Sequence, residues 1–255
     1  MFSFVLGLYT CSGLYAQNRD QEEQSFEISG ERALEISREI GAHQAGIEEI
    51  QTKIGIYDQS LIEAYSSLAA LYDEIEDYQN ASAVFLDALQ VARINTGLYS
   101  AEQIPLVRLL IENKINAEEW RSADDFHELE YLISSRVFAP VDTGYLNSVQ
   151  SYGAWKLRVI RENLFNQSGQ SLVLTAGEVS SFYNRVIGKV EQEAGLQNRN
   201  LLNVLYTKTQ VDMTLARYIA SVPYTSFQGT ASPFINQTRC RNCLLYTSDA
   251  ADEGL

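Results

Sequence analysis

Residues 57–100, YDQSLIEAYSSLAALYDEIEDYQNASAVFLDALQVARINTGLYS, carry two helical patterns and the punctuation that separates them. Asp58 offers a carboxylate to the orphan backbone N–H groups of a first turn. Behind it Leu61, Tyr65, Leu68, Ala69 and Tyr72 stand at offsets 0, 4, 7, 8 and 11, which is one face of a helix predicted to run through about Ile75. The acidic turn around Glu76 and Asp77 follows. A second helix is predicted from about Tyr78 to Ile94, with Ala81, Val84, Phe85, Ala88, Leu89 and Ala92 on its buried side and Gly97 at its end.

Working outward, the pattern recurs. Asp58, Ser100 and Asp142 stand 42 residues apart and each opens an apolar helical pattern. Gly55 and Gly97, Tyr57 and Tyr99, Ile62 and Ile104, Tyr78 and Trp120, and Ala81 and Ala123 share that spacing. A fixed period of this length marks one supersecondary unit used several times, each unit burying its apolar face on the next.

Within the first unit Tyr65, Leu68, Ala69, Tyr72, Ala81, Phe85 and Ala88 resemble the large-Leu-small-Tyr…Ala…Phe…Ala signature of the tetratricopeptide repeat, all seven in register. The small residues have a physical reason, since two antiparallel helices approach closely only where side chains are short. The period of 42 resembles the longer repeats of kinesin light chain and related bacterial proteins. The family's helix-ending proline is replaced near Arg93. In the second unit Leu110, Trp120 and Ala123 fit, but Ile111, Lys114, His127 and Glu130 depart; in the third Tyr152 and Gly153 fit and Lys156 does not.

The resemblance implies an all-α fold, a right-handed superhelical solenoid of antiparallel helical hairpins, with a concave surface that binds a protein or peptide partner. It places in that groove Ser66, Ala70 and Asp73 from the first unit, Arg108 and Glu112 from the second, and Gln150, Ala154 and Arg158 from the third. This set is mixed in charge and lacks the Lys/Asn group with which some members of the family clamp a peptide carboxylate.

Elsewhere, residues 25–54 have apolar positions Ala33, Ile36, Ile40, Ile47, Ile50 and Ile54, interrupted by Gly41 and Gly46, which predicts two helices with a bend. Residues 171–195 and 199–221 read as two further helices, and the stretch from Pro223 has turn chemistry without a period. The predicted organisation is N-terminal helices over 17–57, tetratricopeptide-like repeats over 58–160, a degenerate helical hairpin over 171–222 and a flexible tail over 223–242.

Both ends need separate treatment. The apolar run 2–9, FSFVLGLY, followed by Leu14-Tyr15-Ala16 before Gln17, is read as a signal peptide over 1–16. The run is too short to span a bilayer. An inner-membrane anchor and a lipoprotein signal ending at Cys11 stay open as alternatives. Residues 243–253, CLLYTSDAADE, resemble the translation of a sequencing adapter, so 243–255 are set apart from fold reasoning and the natural chain is read as truncated. Cys240 is then the one cysteine of the mature native segment, which defines no disulfide framework.

The chain has 255 residues, 45% hydrophobic and 20% charged, enough for a sizeable core, and its four prolines favour helices. A formal charge of −14 repels phosphate backbones, so nucleic acid is not an expected partner. No G-x-S-x-G, H-E-x-x-H, Walker loop or dinucleotide fingerprint occurs in the sequence. Asp124, Asp125 and His127 are too closely spaced on a helix to gather around one ion, and are read as a solvated polar face. Asp73, Glu74, Glu76 and Asp77 flank a hairpin tip, where solvent keeps carboxylates ionised, so neither acid–base chemistry nor calcium binding is read there. The expectation is a noncatalytic interaction or assembly scaffold of a bacterial cell envelope, exported to the periplasm, with no cofactor, no metal and no membrane span in the mature chain. The alternative is a helical accessory domain of a larger enzyme. An intracellular regulatory repeat protein is a third reading, should 1–16 not direct export.

Overall fold

The computed structural model describes residues 13–195, 199 and 201–221, with side chains from residue 32 onward, that of 194 excepted. Residues 1–12 of the signal peptide expected over 1–16, Cys11 among them, the tail over 223–242 and the adapter-like stretch lie outside these. Among the described residues every regular element is helical: α1 (Gly13–Lys53), α2 (Ser60–Glu74), α3 (Tyr78–Thr96), a 3-10 turn (Ala101–Gln103), α4 (Ile104–Asn116), α5 (Trp120–Val137), α6 (Thr143–Glu162), α7 (Gly169–Ala194) and α8 (Leu201–Ser221). They fall into two compact units that meet inside α5, between Phe126 and His127.

In the first unit α2 and α3 form the tightest hairpin. Ala69, Ala81 and Ala88 are wholly buried between them, as the close approach of two helices requires, and Phe85 and Leu61 fill the seam. Asp58, one residue ahead of the N-cap position Gln59, accepts from the N–H of Ser60 at 2.9 Å and from its hydroxyl at 2.5 Å, and so satisfies the first turn of α2. Gly97, at φ 88°, stops α3 in a conformation that costs glycine little. Ser100 caps the 3-10 turn through the N–H of Glu102, so the second repeat opens with a tight turn before α4 begins at Ile104.

The period is visible in the backbone itself. Glu76 and Glu118, 42 residues apart, both take the left-handed conformation, at φ 59° and 57°. At the first tip Asp77 N–H bonds the Tyr72 carbonyl and Glu76 N–H that of Asp73; at the second, Glu119 N–H bonds Lys114 and Glu118 N–H bonds Ile115. These are paired Schellman closures, which satisfy the last carbonyls of α2 and α4 in the same way. The α2–α3 hairpin is tetratricopeptide-like in its packing positions as well as its sequence.

One sequence expectation fails here. Residues 25–54 are not two helices with a bend: α1 is continuous through Gly41 and Gly46. A glycine weakens a helix interior by about 1 kcal/mol but does not break it when the flanking turns are held by packing. Ile36 and Ile47 are buried, and α1 is pinned along α2 by amide-to-phenol bonds, Gln44 to Tyr72 at 3.0 Å and Gln51 to Tyr65 at 2.8 Å.

The second unit is built on α6, α7 and α8. Tyr145, Val149 and Ile160 of α6 pack with Val179, Phe182, Tyr183, Val186 and Val190 of α7 and Val204 and Val211 of α8. Asp142 precedes α6, but its carboxylate turns back to the N–H of Ala139 at 3.0 Å instead of capping the helix. The helix closes on Asn163, at φ 48°, a residue type that tolerates the left-handed region. That closure is 45 residues after Glu118, so α6 has gained three residues and everything beyond it leaves the 42-residue register.

Candidate binding surface and cavity

On α2, Ser66, Ala70 and Asp73 share a side. Ser66 donates its hydroxyl to the Ile62 carbonyl at 2.7 Å, which leaves it a weak recognition group, and Ala70 is exposed. Asp73 is half-buried and accepts from the Asn113 amide at 2.6 Å, while the same amide reaches the Tyr78 carbonyl at 3.1 Å. Desolvation raises the Asp73 pKa above the usual aspartate value, and the Asn113 amide works against it. Asp73 thus holds α4 against the tip of the preceding hairpin as well as bordering the surface. Arg108 and Glu112, one turn apart on α4, are exposed. Two more carboxylates of the acidic tip have partners: Glu74 takes two bonds from Arg32, at 2.9 and 3.1 Å, and Asp77 caps α3 through the Asn80 N–H at 3.3 Å.

In the second unit Gln150 and Ala154 lie exposed one turn apart on α6. Arg158 donates to Glu162 at 3.1 Å and lies 6.0 Å from the Trp155 ring centre. Beside Gln150 is a cavity of about 160 Å³ between α6 and α8, with α7 behind it. Thr143, Asn147, Gln150 and Asn203 form an exposed, uncharged rim. Leu146, Val149 and Val204 form apolar walls, and Thr207 and Tyr183 complete the lining.

Tyr183 is wholly buried, and its phenol oxygen has almost no accessible surface. Burial pushes its pKa well above the ordinary tyrosine value, and a side-chain hydrogen bond with Thr207 works against that; the Thr207 hydroxyl also donates to the Asn203 carbonyl at 3.0 Å. The phenol also presses on Gly153 of α6, where a Cβ would stand 1.5 Å from it. The small residue that the repeat signature asks for at Gly153 is therefore occupied by Tyr183. Of the cavity only Gln150 was anticipated. Asn147, three residues before it, and Asn203 and Thr207, one turn apart on α8, were missed because no local pattern marks that α8 stands beside α6.

The polar-face reading of His127 is corrected. His127 is buried and stacks on Trp155, ring centres 4.9 Å apart and planes 20° apart, while Asp125 stays exposed. Glu130, at another departing signature position, is also buried and accepts from the Ser151 hydroxyl at 3.3 Å. The positions that lost their apolar signature residues still face inward, filled by a ring stack and a polar contact. Among the described residues no group of three or more His, Cys, Asp or Glu side chains is placed to hold a metal, and no helix is long and apolar enough to cross a membrane.

No protein-family model matches the chain, and no curated protein does. Among solved structures it is similar to the nearly identical TPR-like repeats of a candidate kinesin light chain from Podosopora anserina, at 9% identity and a TM-score of 0.48, over 80% of this chain and 96% of that one. A Q17M form of the same repeats gives 12% identity and a TM-score of 0.42, over 80% and 93%.

Proposed function

We infer that the chain is a noncatalytic scaffold that holds a protein segment against the first helices of its hairpins. The carrying observation is the repeated tip at Glu76 and Glu118, which sets successive hairpins in one register and leaves Ala70 and Glu112 exposed on α2 and α4. Ala154 on α6 is the equivalent exposed position of the next hairpin. Periodic exposed positions of this kind suit an extended partner, and the mixed polarity of the neighbouring side chains favours a polypeptide over a polyanion. The net charge of −14 supports the same choice. The apolar run 2–9 and the Ala16–Gln17 junction support export, with the envelope as the working compartment.

A photo-crosslinking residue placed at Ala70 or at Ala154 tests the reading in extract of the native cell envelope. Adducts to a discrete polypeptide at both positions, and none at the exposed Leu86 on α3, are expected. Equal labelling from Leu86 would move the working surface to the second helices. Export is tested by mass spectrometry of the chain made in a Gram-negative host, where a periplasmic product beginning at Gln17 is expected and a cytosolic product retaining Met1 would remove the compartment.

A further inference from the structure

We propose that the outward face of α8 is a self-association surface, on which a second copy of this chain lays its own α8 antiparallel about a two-fold axis. This goes beyond the preceding reading and rests on other residues.

α8 is apolar on both sides, and the fold covers only one of them. Leu201, Val204 and Val211 are buried in the core with α6 and α7, and Leu215 and Tyr218 pack against it. At about 100° per residue, Leu202, Tyr206, Thr209, Met213, Ala216 and Ala220 fall within about 80° of one another on the opposite side. All six are exposed, Leu202 at 73%, Tyr206 at 66% and Met213 at 53%. The Thr209 hydroxyl donates to the Leu205 carbonyl at 2.8 Å, so no donor is left over when its methyl is covered. The charges of the helix lie off this stripe: Lys208 pairs with Asp212, which accepts from Ser180 of α7 at 2.6 Å, and Arg217 stands at the margin. A helix apolar all round reads as one with neighbours on both sides.

The order of sizes along the stripe selects the occupant. The bulky Leu202 and Tyr206 stand in the first half of α8 and the small Ala216 and Ala220 in the second. Two copies crossed antiparallel at the middle of the helix set Leu202 against the partner's Ala220, Tyr206 against the partner's Ala216 and Thr209 against the partner's Met213, and each contact occurs twice. Every level then joins a large side chain to a small one, which lets two helices approach closely without voids. A parallel copy would set Leu202 on Leu202 and Ala220 on Ala220, crowding one end and leaving a gap at the other. The two-fold also lays the Arg217 stem along the partner's Leu205 with the guanidinium at the rim, so no ionised group is buried in the middle.

The test is sedimentation equilibrium of the full chain, compared with Tyr206→Glu and Ala216→Lys, each alone and the two mixed in equal amounts. A single pair of helices lies at the small end of interface sizes, so a dissociation constant of order 10 μM is expected, the average mass rising from 28.7 kDa toward twice that with concentration. Each variant alone should weaken association about tenfold or more, since one buries a carboxylate and the other an ammonium with no counter-charge opposite. Both positions are exposed, so melting at low concentration should match wild type. In the mixture the two substituted positions face each other across the axis, and association should recover between unlike chains. With each copy at −14, association should tighten as salt rises from about 0.05 to about 0.5 M. A wild-type chain that stays at 28.7 kDa up to about 200 μM would give the face to another occupant and overturn the proposal. Association untouched by both variants, no recovery in the mixture, or weakening with added salt would overturn it as well.

Discussion

Gly153 shows how much one absent methyl group decides. Its Cα side is filled by the Tyr183 phenol, and the nearest ring carbon would stand only 2.4 Å from an added Cβ. Gly153→Ala should therefore destabilise the chain by about 1–3 kcal/mol through overpacking, read as a lower denaturant midpoint. Tyr183→Phe in the same chain removes the nearest clashing atom and should restore part of the loss; additive effects of the two changes would contradict the contact. Asp58 and Asp73 make a second residue-scale prediction, because the fold moves them in opposite directions. Ser60 holds the Asp58 carboxyl below the usual 3.8, and desolvation lifts that of Asp73 above it. The fold accordingly favours ionised Asp58, whose contribution is present above pH 3.8 and is lost as pH falls through its depressed value. It favours neutral Asp73, whose contribution is complete below pH 3.8 and is lost as pH rises through its raised value. As pH rises toward 3.8, wild type should gain stability relative to Asp58→Asn, and as pH rises beyond 3.8 it should lose stability relative to Asp73→Asn; slopes of one sign in chemical denaturation would refute the pair.

At the scale of elements, the turns at Glu76 and Glu118 each place a β-carbon where glycine is easier. Glu76→Gly and Glu118→Gly should each stabilise by about 0.5–1 kcal/mol, seen as a raised melting temperature, since the left-handed strain goes while the Schellman bonds stay. A loss of stability at both sites would mean that the glutamate side chains hold the tips. These tips also explain which parts of the fold were legible in the sequence. The α2–α3 hairpin was readable because its apolar offsets, cap and terminating Gly97 all agree. The α4–α5 hairpin was readable from fewer positions, Ser100, Ile104, Leu110, Trp120 and Ala123. The same offsets said nothing of His127 and Glu130, which sit at inward positions with residues a hydrophobic pattern cannot mark. Gly41 and Gly46 misled because composition shows a weak helix former and not the neighbouring helix that holds it in line. Beyond α6 the three-residue lengthening breaks the period, although an aromatic still follows the tip: Tyr78, Trp120 and Phe165 stand two residues after Glu76, Glu118 and Asn163. The candidate surface was legible as periodic positions on α2, α4 and α6. Its cavity was not, because that depends on α8 standing beside α6, a pairing that no local pattern encodes.

For the whole molecule, both units are assembled mainly from helices adjacent in the chain: α1 on α2, α2 on α3 and α3 on α4 in one, α6 on α7 and α7 on α8 in the other. The pairing of α8 with α6 is the departure, and it carries a hydrogen bond from the Tyr218 phenol to the Ile160 carbonyl at 2.7 Å, across 58 residues of sequence. Neighbour-on-neighbour contacts close short loops and form early, whereas this one waits until two intervening turns and the whole of α7 are in place. Tyr218 therefore marks the order of events during folding. Tyr218→Phe should leave the refolding rate close to wild type and speed unfolding by about two- to tenfold, the share of a hydrogen bond made only after the rate-limiting barrier. In a stopped-flow chevron that change appears in the unfolding limb, and a shift of the refolding limb instead would place the docking of α8 before the barrier. The segment that completes the cavity is then the last to arrive and the first to leave.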